Sequence, residues 1–164
     1  MSGQLLTLEQ TLNLLSETPR RIAGLTAGLD QAQAITAPAP GEWSANEVLA
    51  HLRSCADVWG NCITTILAEN KPVLRAINPT TWIKTTGYPQ LEFAPSLEAY
   101  LNQRAVLLST LKPLAPAAWD RPATVTGAGA PLQRTLHFYA QWLARHERSH
   151  IKQIQTIVKI VQTN

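Results

Sequence analysis

Three of the four histidines in this 164-residue chain fall where a metal ion could use them. His146 and His150 stand four residues apart. In a helix each residue advances about 100°, so with His146 at zero, Trp142, His150, Gln153 and Ile157 lie within roughly 40° of it, and Tyr139 and Leu143 lie close by. Both imidazoles therefore face inward. The opposite side of that helix collects Arg134, Arg145, Arg148, Lys152 and Lys159. His137 comes out about half a turn away and is excluded from the group. On an earlier segment His51 shares a stripe with Val48, Cys55, Val58 and Cys62, and it too points inward.

The usual fate of a histidine on an apolar face is a hydrogen bond to a carbonyl or another side chain. Three converging imidazoles weaken that explanation, because each one buried without a partner costs on the order of 1–3 kcal/mol, and one metal ion would satisfy all three. A pair at i and i+4 on one helix, completed from a neighbouring element, is a recurrent way to hold zinc. Three nitrogens leave an open coordination position, as in catalytic sites, whereas structural zinc is closed by four protein ligands. Imidazoles alone do not choose among zinc, copper, iron and nickel.

Neighbouring residues have two readings each. Glu47, one turn before His51, could orient it or serve as a base, but it also stands at the third helical position after Ser44, where a capping box accounts for it. Gln153 could hydrogen-bond a ligand imidazole or a bound water. Cys55, one turn after His51, could ligate or simply pack. Trp142, Trp82 and Tyr88 could wall a pocket or fill the core.

The elements that must carry these residues are helical. Apolar positions recur every three or four residues from Leu5 to Leu29, interrupted at Pro19, where the helix is expected to kink or restart with Thr18 as its cap. Residues 37–41, Ala-Pro-Ala-Pro-Gly, read as a loop. Ser44 to Glu47 forms a capping box, with Trp43 placed for a hydrophobic staple to Val48, and opens a helix that runs to about Asn70. A Pro- and Gly-containing connection covers residues 71–95. A third helix is expected from Ser96 as cap to about Lys112, then a loop from Pro116 to Pro131, then a long helix from about Leu132 to Val161. With no convincing strand run, the chain reads as an all-α four-helix bundle in a single domain, residues 1–164, with one or more crossovers.

Composition agrees. Apolar residues make up 45% and charged residues 15% of the chain, which suits a globular domain. The net charge of +3, from 14 Lys and Arg against 11 Asp and Glu, gives no footprint for nucleic acid, and none is expected as a partner. No apolar run reaches the ~18 residues of a membrane span, and no membrane partner is expected. The two cysteines, Cys55 and Cys62, are seven apart on one helix, roughly 10 Å, too far for a disulfide. Reduced thiols and the lack of a leader-like start point to a cytoplasmic protein.

Two segments resemble a known family. Gly41-Glu42-Trp43-Ser44-Ala45-Asn46-Glu47-Val48-Leu49-Ala50-His51-Leu52 is similar to the Trp-Ser…Glu…His-Leu motif of the DinB-like superfamily of bacterial four-helix-bundle proteins. His146-Glu147-Arg148-Ser149-His150-Ile151-Lys152-Gln153-Ile154 resembles its terminal His-x-x-x-His…Gln-Ile motif, and Ser96–Arg121 its third helix and following loop. The resemblance implies an up-up-down-down bundle with long crossover connections. It implies a divalent transition metal, zinc or nickel first and iron, manganese or copper next, on His51, His146 and His150. It also implies a homodimer, and a small-molecule substrate handled by a hydrolase or by a thiol S-transferase using a low-molecular-weight thiol. The competing reading is a non-catalytic protein in which the metal staples a dimeric binding module.

Overall fold

The computed structural model describes residues 4–164. Four long helices form the expected bundle: α1 (Leu8–Thr26), α3 (Ala45–Ala68), α5 (Phe93–Leu111) and α7 (Leu136–Thr163). Short helices lie between them: α2 (Gln31–Ala34), α4 (Pro79–Trp82) and α6 (Pro116–Trp119). Local chemistry sets most boundaries. Ser44 caps α3, its hydroxyl accepting from the Glu47 N–H while the Glu47 carboxylate accepts from the Ser44 N–H at 2.8 Å. Thr7 and Gln10 repeat that reciprocal arrangement at α1, and Asp30 and Gln33 at α2.

Pro19 neither breaks nor restarts α1, and Thr18 is an interior residue, not a cap. A proline removes the bond its N–H would give to the carbonyl four residues back, here Leu15. That carbonyl is taken instead by the buried Arg104 guanidinium of α5, Nη1 to O 3.1 Å, so the helix continues with its polar groups satisfied.

Two other boundaries differ from expectation. α5 starts at Phe93 with Glu92 at the cap position, and Pro95 sits in the first turn, where no N–H is needed. Ser96 is buried inside the helix, its hydroxyl accepting from Arg53 Nη1 at 3.1 Å. Residues 132–135 do not open α7. They form β3 (Leu132–Thr135), antiparallel to β2 (Pro122–Thr126), which pairs in parallel with β1 (Val73–Arg75) in the order β1-β2-β3. These strands are three to five residues long. Alternation over so few residues gives little periodic signal, though Ala123 and Val125 do point into the core.

Helix directions follow from contacts along their lengths. Leu6 N–H donates to Gln141 Oε1 near the start of α7 and Gly28 lies against Gln162 near its end, so α1 and α7 run parallel. His51 meets His150 and Trp59 meets Trp142, so α3 opposes α7. Arg53 meets Ser96 and Asp57 meets Gln103, so α3 and α5 run parallel. In chain order the helices run up, down, down, up, where the family resemblance suggested up, up, down, down. One segment, residues 69–92, must therefore carry the chain back along the bundle.

That return is pinned by polar groups that are half-buried or, for Trp82, exposed. The Asp57 carboxylate accepts from Tyr88 Oη at 2.6 Å, Trp82 Nε1 at 3.2 Å and Gln103 Nε2 at 2.8 Å. Burial and the Asp57 carboxylate push the Tyr88 phenol up to about 12, keeping it a donor. Trp82 and Tyr88 thus anchor the crossover and wall no histidine site.

The core has two apolar halves. One, toward the sheet, gathers Leu15, Ile63, Ile66, Trp119, Leu136 and Leu143; the other gathers Ile22, Val48, Leu52, Tyr100, Ile154 and Ile157. Between them Arg104 and Glu147 form a buried bidentate pair, with Nη1 to Oε2 at 2.7 Å. Removing one partner leaves a buried charge, so Arg104→Ala or Glu147→Ala should each lose about 3–5 kcal/mol in urea unfolding. Arg104→Met combined with Glu147→Leu should lose less than either single change, the remainder reflecting the unpaired Leu15 carbonyl.

Candidate metal centre

α3 and α7 cross antiparallel, which brings the second turn of one against the middle of the other and makes three imidazoles meet. His51 Nε2 lies 3.2 Å from His146 Nε2, and His150 Nε2 lies 3.4 Å from His146 Nε2. Ligand nitrogens about 2.0–2.1 Å from a tetrahedral ion are separated by about 3.3 Å, so these spacings match those of a zinc-type site. His51 is buried, and His146 and His150 are half-buried.

Protonation is arranged to suit. Gln153 Oε1 lies 2.7 Å from His150 Nδ1, one turn further along α7. The amide oxygen accepts from Nδ1–H, which leaves the Nε2 lone pair of His150 facing its neighbours. Burial first, then the nearby His150, lowers the His51 pKa; burial, then His150 and His51, hold His146 down to about 4. Both are therefore neutral at pH 7, the form that ligates. His146 Nδ1 is buried without a partner, so hydrogen bonding alone does not satisfy this ring. The donor set and its spacing fit a divalent transition ion.

Around the cluster, Trp43 packs on His51 with ring centroids 5.2 Å apart, and Trp59 presents its edge to His146 at 5.0 Å. Cys55 Sγ lies 3.7 Å from His51 Nε2, and donor atoms of His51, Cys55 and His146 all lie within 4.8 Å of one another. Burial, then the Glu147 carboxylate, pushes the Cys55 thiol up to about 12. A cleft of about 560 Å³ reaches the cluster through His150, between Trp43 and the α7 residues Gln153 and Ile157, with Glu42 and Lys152 at its rim. A larger groove of about 680 Å³ lies between α3, β1 and α5, and no histidine lines it.

Of the residues singled out from sequence, His51, His146, His150, Cys55 and Gln153 come together. Glu47 does not join them, since its carboxylate is occupied by the α3 cap. Trp142 is 48% exposed and reaches the cluster only through Trp59, against which it packs edge-on. His137 is held apart, near Thr11 and Trp119. Trp59 lies two turns beyond His51 on the same apolar stripe, which marks it for packing, and only the fold sets it against His146. Trp43, whose spacing suits a staple, also packs on His51.

Residues 14–154 match the family model of the DinB superfamily. The chain belongs to the DinB superfamily. A protein of Geobacillus thermodenitrificans (strain NG80-2) named "Putative metal-dependent hydrolase" is 23% identical over 158 residues, 93% of this chain and 84% of that protein. The structure of YfiT from Bacillus subtilis, described as a probable metal-dependent hydrolase with an unusual four-helix bundle topology, superposes with a TM-score of 0.78. It shares 17% identity, over 97% of this chain and 91% of that one. The match in fold extends over 97% of this chain and so includes the helices that carry the histidines.

The depressed histidines set a pH dependence. His146 titrates near 4 in the folded protein and near 6.5 unfolded, so below 6.5 the unfolded state binds the proton more readily. Its contribution to stability is complete above pH 6.5 and is lost as pH falls toward 4. The melting temperature of metal-free protein should drop across that window, and His146→Gln should remove up to about one proton from the slope.

Proposed function

We propose that this protein is a hydrolase of small molecules that depends on a divalent transition ion held by His51, His146 and His150. The observation that carries the reading is that His146 Nε2 stands 3.2 Å from His51 Nε2 and 3.4 Å from His150 Nε2, each the separation of two ligands on one tetrahedral ion. The names of the two relatives point the same way. When bound, such an ion supplies Lewis-acid activation of a nucleophile and of the group it attacks.

The chain's own residues supply the rest. Gln153 fixes the tautomer and ring orientation of His150. Trp43 and Trp59 cover His51 and His146 and keep water from competing with their lone pairs. The cleft beside His150 admits a ligand to one side of the cluster, with the Trp43 face as an apolar wall and Lys152 as a cation at the rim. Transfer to a small thiol instead of water uses the same donor set, so a substrate screen should run with and without an added low-molecular-weight thiol. A homodimer belongs to the same proposal through the family resemblance, and a monomer at micromolar concentration in sedimentation would count against it.

The test is metal content after identical purification and loading. His150→Ala should lose most of the bound ion and the rise in melting temperature that loading produces, since a ligand that binds only the native state stabilises it by mass action. His137→Ala should keep both. Equal metal in wild type and His150→Ala would refute the site.

A further inference from the structure

Charge is unevenly spread over the four long helices. α1 exposes Glu9, Glu17, Arg20 and Arg21, and α7 exposes Arg145, Arg148, Lys152 and Lys159. From Val58 to Ala68, by contrast, α3 has no charged residue, and from Ala99 to Leu111 α5 has only Arg104, which is buried against Glu147. These two stretches flank the groove of about 680 Å³ that β1 completes. Among the described residues ten large apolar side chains are exposed, and four of them, Val73, Ile77, Trp82 and Val106, line this one groove. Bundle helices ordinarily turn a polar stripe to solvent, so exposed apolar side chains with charge withheld mark a surface that something covers.

We propose that a second copy of this chain covers it, so that the face made by α3, α5 and β1 is the contact of the homodimer. The inference rests on the homodimer reading above, to which it gives a place, and is independent of the metal. Charge decides the occupant. A two-fold axis sets a patch against its own image, so a charge near the axis meets itself, and a face that self-associates has to be nearly neutral. A partner of unlike chemistry is recruited instead by charge of one sign. Besides Arg104, two charged residues line the groove. Asp57 is engaged by Tyr88, Trp82 and Gln103, and the Arg75 side chain lies beside Gly127 of the turn between β2 and β3.

The strand wall has the same need. β1 is at the edge of its sheet, where the Pro72 carbonyl and the Ala76 N–H bond to β2. By alternation the N–H groups of Val73 and Arg75 point away from the sheet. Open sheet edges invite pairing, and a copy seated on the groove shields this one. The groove and the cleft at His150 share no residue, so the contact leaves the candidate metal centre accessible.

The experiment is sedimentation velocity on the full chain, under reducing conditions and across the micromolar range. Wild type should sediment as a dimer. Val106→Glu and Val73→Lys should each raise the dissociation constant about tenfold or more, because the contact would bury a charge without a partner. The two valines are 66% and 70% exposed within one chain, so far-ultraviolet circular dichroism and metal loading should match wild type. Ile35→Glu, at a 56% exposed apolar position off the groove, should leave the dimer intact. Hydrogen exchange on wild type needs no variant, and protection over residues 71–77 should rise with concentration as the dimer forms. A dimer that survives both groove variants, that falls apart equally in Ile35→Glu, or that adds no protection over residues 71–77 overturns this face and leaves the homodimer standing. A monomeric wild type overturns both. The dye 1-anilinonaphthalene-8-sulfonate then sorts the other occupants: uptake that Val106→Glu abolishes points to a small apolar ligand, and no uptake points to an unlike protein.

Discussion

The bidentate pair between Arg104 and Glu147 holds three of the four helices in register. Arg104 comes from α5, Glu147 from α7, and the remaining Arg104 hydrogen bond ends on the Leu15 carbonyl of α1. That carbonyl is free because Pro19 has no N–H to give it. A buried guanidinium is tolerated only when its donors are taken, so the pair permits little sliding of α7 along α1 or α5. Glu147 adjoins His146 in sequence and lies three residues before His150. Whatever fixes Glu147 along the bundle axis also fixes where the two imidazoles of α7 meet α3.

The second constraint is topological. Because α3 and α5 run in the same direction, the chain must return along the bundle between them, and the return is fastened at both ends. At one end Arg121 donates to the carbonyls of Ile66 and Glu69, and β1 joins the small sheet. At the other, Asn46 Nδ2 donates to the carbonyls of Pro89 and Leu91 beside the start of α3. The Asn46 contact lies near the same end of α3 as His51, so the crossover also steadies the helix that contributes the third imidazole. No helix among the described residues is long and apolar enough to cross a membrane.

The site itself is a polar cluster kept neutral by its surroundings. Desolvation by Trp43, Trp59 and the core disfavours charged imidazoles, and three rings so close would repel if protonated. The same environment that makes a cation on any one ring costly makes a shared lone-pair site available to an external cation. One orphaned ring nitrogen, His146 Nδ1, marks where internal hydrogen bonding stops short.

Much of this could be read in the chain. The three histidines, Cys55 and Gln153 lie on helical stripes, and a period of 3.6 residues decides which side chains share a face regardless of what that face meets. Ser44 and Glu47 announced the start of α3 because a capping box is a contact within four residues. β1 was not legible because its partner β2 lies about 50 residues away, and β2 and β3, though neighbours in the chain, are too short for alternation to stand out. Trp43 packs on His51, a contact that local spacing does not predict.

The buried ion pair left a trace that was readable in principle: Glu147 interrupts the apolar stripe of Leu143, Ile151, Ile154 and Val158. Its partner lies 43 positions away on another helix, and no local rule names it. Helix directions belong to the same class, because periodicity is unchanged when a helix is turned end for end. Sequence by itself determined which residues share a helical face and that three of those on the apolar stripes are imidazoles. Tertiary structure decided that α3 opposes α7 at a register that brings His51 Nε2 to 3.2 Å from His146 Nε2, because distances between elements depend on packing and long-range polar contacts that no single helix contains.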